Sequence, residues 1–549
     1  MSPTTTAKHA QVSASRAGSS QSHPLAALGD LLRFMIRRDR VRAPVWVLAV
    51  VGIFTAGVGS VVGLYSTPSQ LQNYGEISSA DEAIKAMAGP GYGLENPTQG
   101  AVVMNEMGLY TLIAISLMCL FLVVRHTRTE EDSDRAELVR SAPVGRYATL
   151  TAATLWVSGL NLLTAIGVTA GLLAFGLDTT GSLAFGAAAF GIGMVFVGIG
   201  GVAAQVATSG RSATAVGGAT LGIFFLLRAV GDVGPEWVRW VSPLGWAQGI
   251  RPYAQERWWV LLLLATASAL LIIGALRLQS RRDLGAGFLR QRQGPAVGSP
   301  RLSSPLAMAA RLQRGAIIGW CAAIGIAAFF FGLIANLADN LLENEAISDL
   351  LVQSGQASPT DLFLATMVLM LALLASCFTV SSVLRLRTDE LGGHAESTLA
   401  GPVSRARWTG SHLLVSTIGS VVLLLLGGLM LGVGYAVQIG DASEVLPLVG
   451  AAIAMLPPLL VLSGVGFALF GMHARLAPLA WVGVAFSVVV GLLAETLDLP
   501  QWLRNASPFE HVAAMPAESF APLALVILLA IAAALIAIGA VAVNRRDIG

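Results

Sequence analysis

The stretch RTEEDSDRAELVRSAPVGR, Arg128 to Arg146, is met 259 positions later by RTDELGGHAESTLAGPVSR, Arg387 to Arg405, with no gap. Arg128-Thr129-Glu130-Glu131 falls on Arg387-Thr388-Asp389-Glu390. Ala136-Glu137 falls on Ala395-Glu396, and Pro143-Val144 with Arg146 falls on Pro402-Val403 with Arg405. Two further pairs keep the same order. Pro235, Trp237, Arg239, Ser242 and Pro243 match Pro500, Trp502, Arg504, Ser507 and Pro508 at an offset of 265. Arg281-Arg282-Asp283-Leu284-Gly285 matches Arg545-Arg546-Asp547-Ile548-Gly549 at an offset of 264. Three ordered matches point to an internal duplication, the first thing to seek in a long chain.

What surrounds these segments is apolar. Of 549 residues, 55% are hydrophobic and only 12% charged, too little charge to cover a soluble protein of this size. Apolar runs such as Val45 to Leu64, Leu413 to Val437 and Leu523 to Val543 reach the roughly 20 residues a helix needs to cross a bilayer. The pattern predicts an all-α integral membrane protein of twelve transmembrane helices, arranged as two six-helix repeats of parallel topology. The expected spans are 45–65, 103–124, 148–175, 182–207, 213–231 and 257–276, then 316–337, 361–384, 409–437, 445–470, 476–494 and 520–543. The division is a polar tail at 1–24, a first half at 25–284, a Gly/Pro/Arg-bearing linker at 285–304 and a second half at 305–549.

Charge placement orients the chain. With both termini cytoplasmic, 28 of the 34 Lys+Arg lie inside, five outside and one in a span. That bias follows the positive-inside rule and implies a multi-pass protein of the plasma membrane. Before the first span, Leu28, Leu31, Leu32 and Met35 share a helical face, with Arg33, Arg37 and Arg40 elsewhere. This is the pattern of a helix lying on the membrane surface. Pro305-Leu306-Ala307 echoes Pro24-Leu25-Ala26, and each leads to a span tryptophan, Trp320 or Trp46.

No enzyme site is visible. The chain has two lysines, Lys8 and Lys85, and neither follows a phosphate-binding glycine loop. Seven histidines show no HExxH pattern. Cys119, Cys321 and Cys377 stand alone, without metal-ligand spacing. No metal, no cofactor and no nucleic acid is expected to bind here. The duplicated loop is the strongest functional candidate. Thr129 is placed to cap a short helix, Glu130, Glu131 and Asp132 sit at its positive end, Arg140 at its negative end, and Pro143 stops it. A rigid charged helix between two spans suits docking onto a partner. The second copy is interrupted by Gly392-Gly393, so its helix should begin near His394.

Polar residues within the spans form a second class of candidates, for a substrate pathway: Asn161, Arg228, Asp232, Asn336 and Glu495. Arg228 and Asp232 are also spaced as a local i, i+4 ion pair. The Trp/Pro segments carrying Trp237, Pro243, Trp502 and Pro508 suit an outer gate or an aromatic belt.

The loop Arg128-Thr129-Glu130-Glu131-Asp132, with Glu137-Leu138-Val139-Arg140 and Pro143-Val144-Gly145-Arg146, resembles the signature loop of actinobacterial ABC permeases. These are the exporters of polyketide antibiotics of the tetronasin type. The Arg-Arg-Asp-Leu/Ile-Gly endings fit as well. The resemblance implies a permease that pairs with two copies of a separate ATPase holding ATP and Mg. Thr129, Glu130, Glu131, Asp132, Glu137, Arg140, Glu396 and Arg405 would then serve coupling. The exported compound would be an amphipathic small molecule such as a drug or polyketide. The alternatives are an ion-coupled secondary multidrug transporter and a lipid exporter.

Overall fold

The computed structural model describes residues 24–80, 85, 87–132, 144–281, 302, 304–333, 335, 358–494 and 499–546. The chain forms two compact units, Met1–Gln293 and Gly294–Gly549. Every regular element among the described residues is helical. Most of the tail 1–24 and of the linker 285–304 lies outside the described residues, as do Glu137, Arg140, Asn336 and Glu495.

The first unit begins with α1, Leu28–Arg38, which buries Leu31 and Met35 and carries Arg37 and Arg38 in its last turn. Six helices long and apolar enough to cross a membrane follow among the described residues: α2 (Arg42–Leu64), α3 (Gln99–Glu131), α4 (Ala148–Ala174), α5 (Thr179–Val206), α6 (Gly210–Val233) and α7 (Val260–Arg281). α3 is the hub of the core, with Leu112, Ile115, Met118 and Leu122 among its buried residues. One π turn, Met104–Gly108, interrupts it. α5 is rich in small residues and lies almost wholly inside. Gly193 leaves the space that the Asn161 side chain of α4 occupies, and a Cβ there would collide with it. The faces turned away from this core carry exposed Leu48, Ile53, Leu262 and Leu270, as lipid-facing surfaces require.

The second unit contains α8 (Pro305–Leu333), α9 (Thr360–Leu391), α10 (Arg405–Ile439), α11 (Val445–Met472), a shorter α12 (Ala480–Leu493) and α13 (Pro522–Arg545). α8 and α10 approach backbone to backbone. A Cβ on Gly332 would strike the Leu431 carbonyl, and one on Gly434 would strike the Phe329 carbonyl. Glycine permits that approach, which brings dispersion contacts that a hydrophobic effect cannot supply in lipid.

Eleven helices are long and apolar enough to cross a membrane among the described residues. The span expected at 476–494 differs. Pro478 sits in a 3-10 turn, Ala477–Leu479, and the α-helix that follows has 14 residues, shorter than a bilayer crossing needs. The expected starts also move. α8 begins at Pro305 rather than 316, because the Arg- and Gln-bearing residues before the apolar run continue the same helix. α3 runs on past 124 to Glu131 for a similar reason.

Candidate functional site

The duplicated loop segments lie where α3 and α9 end, and each is tied into its own unit by an arginine. In the first unit Arg128 is 1% exposed. Its Nη1 donates to Glu131 Oε2 at 2.9 Å, and its Nη2 donates to the Thr208 carbonyl just beyond α5 at 2.7 Å. Asp132 Oδ2 accepts from the Gly210 N–H, the first residue of α6, at 2.5 Å. Ser209 and Ser212 complete a capping box there, so the start of α6 is held twice. Glu130 pairs with Arg38 of α1. Thr129 does not act as the cap: it lies within the turn Arg128–Glu131, whose N-cap position is Thr127. The Thr127 hydroxyl instead donates back to the Val123 carbonyl at 2.6 Å. Thr129 packs on Gly210, where a Cβ would collide with its hydroxyl.

Beside this lies a group that sequence reasoning missed. Asp39, fully buried between α1 and α2, meets His126 Nε2 at 2.5 Å, Arg125 at 3.2 Å and the Trp156 Nε1–H of α4 at 3.4 Å. Burial pushes the Asp39 carboxyl up, but the His126 hydrogen bond and charge, with Trp156 and Arg42, outweigh it and hold it below the ordinary carboxylate value. The available signal was its isolation: it is the only acid in the basic run Arg33 to Arg42. The Pro24-Leu25-Ala26 motif also has a structural role. Its carbonyls at Ala26 and Pro24 accept from the Gly145 and Tyr147 N–H groups, both at 3.0 Å.

In the second unit Arg387, the counterpart of Arg128, donates from Nε to the Ala474 carbonyl just beyond α11 at 3.1 Å. Asp389 meets Arg385 at 3.2 Å and His412 of α10 at 3.5 Å. Glu390 accepts from Arg546 at 2.6 Å, and that guanidinium lies 5.0 Å over the Phe470 ring. Arg405 Nη1 reaches the Arg546 carbonyl at 2.6 Å and the Val543 carbonyl at 3.2 Å, closing the end of α13. Glu396 stands apart. It is exposed on the short helix His394–Leu399, which starts where Gly393 takes φ 71°.

The other candidates disperse. Arg228 and Asp232 are both buried and pair at 2.9 Å at the end of α6, with Arg239 at 3.5 Å and the Met87 carbonyl at 3.3 Å from Arg228 Nη2. The i, i+4 ion pair is therefore made. Asn161 donates to the Phe190 carbonyl at 2.8 Å and joins α4 to α5. Trp237 and Trp502 are 70% and 73% exposed, while Pro243 is buried and Pro508 half-buried. The described His, Cys, Asp and Glu residues form no group able to hold a metal.

Long apolar helices with their charges gathered at the helix ends define a multi-pass integral membrane protein. The family model for the multidrug efflux system permease Rv1217c, C-terminal domain, matches residues 28–278 and 302–543, and the chain belongs to that family. The multidrug efflux system permease protein Rv1217c of Mycobacterium tuberculosis (strain ATCC 25618 / H37Rv) is 40% identical over 523 residues, 94% of each chain. These matches carry an efflux permease; the tetronasin-type assignment suggested by the loop is finer than they reach.

Proposed function

We propose that this chain is the membrane permease subunit of an ATP-driven ABC exporter that moves amphipathic and hydrophobic drugs, polyketide antibiotics among them, out of the cell. The observation that carries this is the 40% identity over 94% of both chains to a multidrug efflux permease. ATP and Mg bind in a separate ATPase, present in two copies. Their closure is passed to the permease through the elements after α3 and α9. The matched segments 28–278 and 302–543 fall one in each half, which supports a body of two similar halves. The Lys+Arg bias supports both termini being cytoplasmic, with the short apolar helix α12 and its preceding turn completing twelve spans. Arg128 and Arg387 support it too, since each donates to a carbonyl just past the fourth long helix of its half.

The ties of buried Arg128 to Glu131 and Asp132, of Asp132 to the start of α6 and of Glu130 to Arg38 make the end of α3 a stiff transmitter rather than a free docking surface. Contact with the ATPase then falls to Glu137 and Arg140 in the first half and to exposed Glu396 in the second. Reconstitution with the partner ATPase tests this. Glu137→Arg and Glu396→Arg should each lower drug-stimulated ATP hydrolysis while leaving membrane insertion intact. Normal coupling in both variants would refute the docking role. Efflux abolished by an ionophore and indifferent to loss of the ATPase would replace the whole reading with an ion-coupled transporter.

A further inference from the structure

At the end of the first unit away from the duplicated loop, a cleft of about 50 Å³ opens between residues 88–92, α3 and residues 247–252. Its floor is apolar, with Leu109, Leu112 and Phe185. Gln248 and Arg251 line one side of the cleft. Gln248 Nε2 donates to the Ala88 carbonyl at 2.8 Å, and its buried Oε1 has no partner among the described residues. The Arg251 guanidinium lies 4.2 Å over the Tyr92 ring, and its buried Nε has no hydrogen-bond partner among the described residues. Among the described residues no acidic side chain lines the cleft. The neighbouring cation Arg239 already has Glu236 and Asp232, whereas Arg251 makes no ion pair among the described residues.

The backbone holds this arrangement in rare conformations. Arg251 sits at φ 56°, where a residue with a side chain is uncommon. Gly89 and Gly91 shape the facing loop at φ 126° and 66°. Met104, Asn105 and Gly108 of the π turn also line the cleft, and such turns gather at functional sites. A cation without a counter-ion beside an apolar floor is a receptor for a molecule with a negative head and a greasy tail.

We propose that this cleft binds the anionic head of an amphipathic molecule, a carboxylate or phosphate, on Arg251, with the adjoining apolar chain on Leu109, Leu112 and Phe185. The site needs no ATPase, so it can be tested apart from the export reading.

The probe is a diazirine-bearing stearic acid, photolysed with the full chain in phosphatidylcholine nanodiscs and mapped by mass spectrometry. Saturable labelling is expected within 101–112, displaced by oleate and not by oleyl alcohol. Arg251→Gln should weaken half-saturation about tenfold, the size of one charged hydrogen bond, and Arg251→Lys should keep most of the affinity. Equal displacement by oleyl alcohol would overturn the proposal, as would labelling spread over the lipid-facing helices; both readings come from the unmutated chain. Phosphatidylglycerol in the nanodisc separates the sources. Displacement by it makes a lipid headgroup the occupant, and persistence of the label makes it a free carboxylate amphiphile; either outcome supports the anionic head.

Discussion

Seven residues before the span tryptophan of each half, the two units place different chemistry. In the first the residue is Asp39, buried among His126, Arg125 and Trp156, and the chain bends there between α1 and α2. In the second it is Gln313, also buried, which accepts from the Ser382 hydroxyl inside the unbroken helix α8. A charged knot fastens a separate surface helix to the bundle, and a neutral pair accompanies a straight one. The loops differ in the same direction. Arg128 is buried with two carboxylates and a carbonyl, whereas Arg387 is half-buried on one carbonyl. The matched segments thus differ in how deeply their arginine is held, while the second keeps ion pairs of its own at Asp389 and Glu390.

The largest effect that tests this contrast is expected at the arginine pair. Arg128→Ala strips a buried charge from Glu131 and the Thr208 carbonyl and should cost about 3 kcal/mol, while Arg387→Ala should cost about 1 kcal/mol. Thermal unfolding of the purified chain in detergent measures both, and equal losses would erase the asymmetry.

Next is the knot itself. Asp39→Asn should cost about 2 kcal/mol at pH 7, and Gln313→Leu about 1 kcal/mol. The folded Asp39 carboxyl lies below its ordinary value of 3.8, so its stabilisation is present above that value and is lost as the pH falls below it. The gap between the Asp39→Asn variant and the parent should therefore narrow as acid is added below about pH 4. A gap independent of pH would mean that shape, not charge, holds the site.

A smaller effect separates Gly145 from its counterpart Ser404. Ser404 caps α10 by accepting from the Arg407 N–H at 3.2 Å, while Gly145 lies against the Pro24 carbonyl with no room for a side chain. Gly145→Ser should cost about 1 kcal/mol by overpacking and free residues 24–26 for faster amide exchange. Unchanged exchange there would show that the backbone pairing is dispensable. The smallest effect is expected at the exposed tryptophans. Trp237→Ala and Trp502→Ala should each shift stability by less than about 0.5 kcal/mol. A large loss at one alone would reveal a contact absent from the other half.

Much of this fold was legible because crossing a bilayer demands length and apolarity, which a single sequence displays directly. Helix ends were less so. Nothing in Pro305 to Arg314 breaks a helix, so α8 starts as soon as its proline allows, while Pro478 shortens α12 although the run around it is apolar. The candidate loop was found by its repetition, but its internal ties were not. Arg128 meets Thr208 and Asp132 meets Gly210 only once α3 lies against the α5–α6 turn. Asp39 was passed over because a lone acid among arginines reads as a solvated residue until the chain folds over it.

The touching backbones at Gly332 and Gly434 carry a mechanical consequence. Two helices joined that closely cannot slide past each other without losing contact along their length, so α8 and α10 bear load as one beam. Any movement that keeps this contact has to carry both helices together. A methyl group at either glycine would act there as a wedge, felt at both ends of the lever.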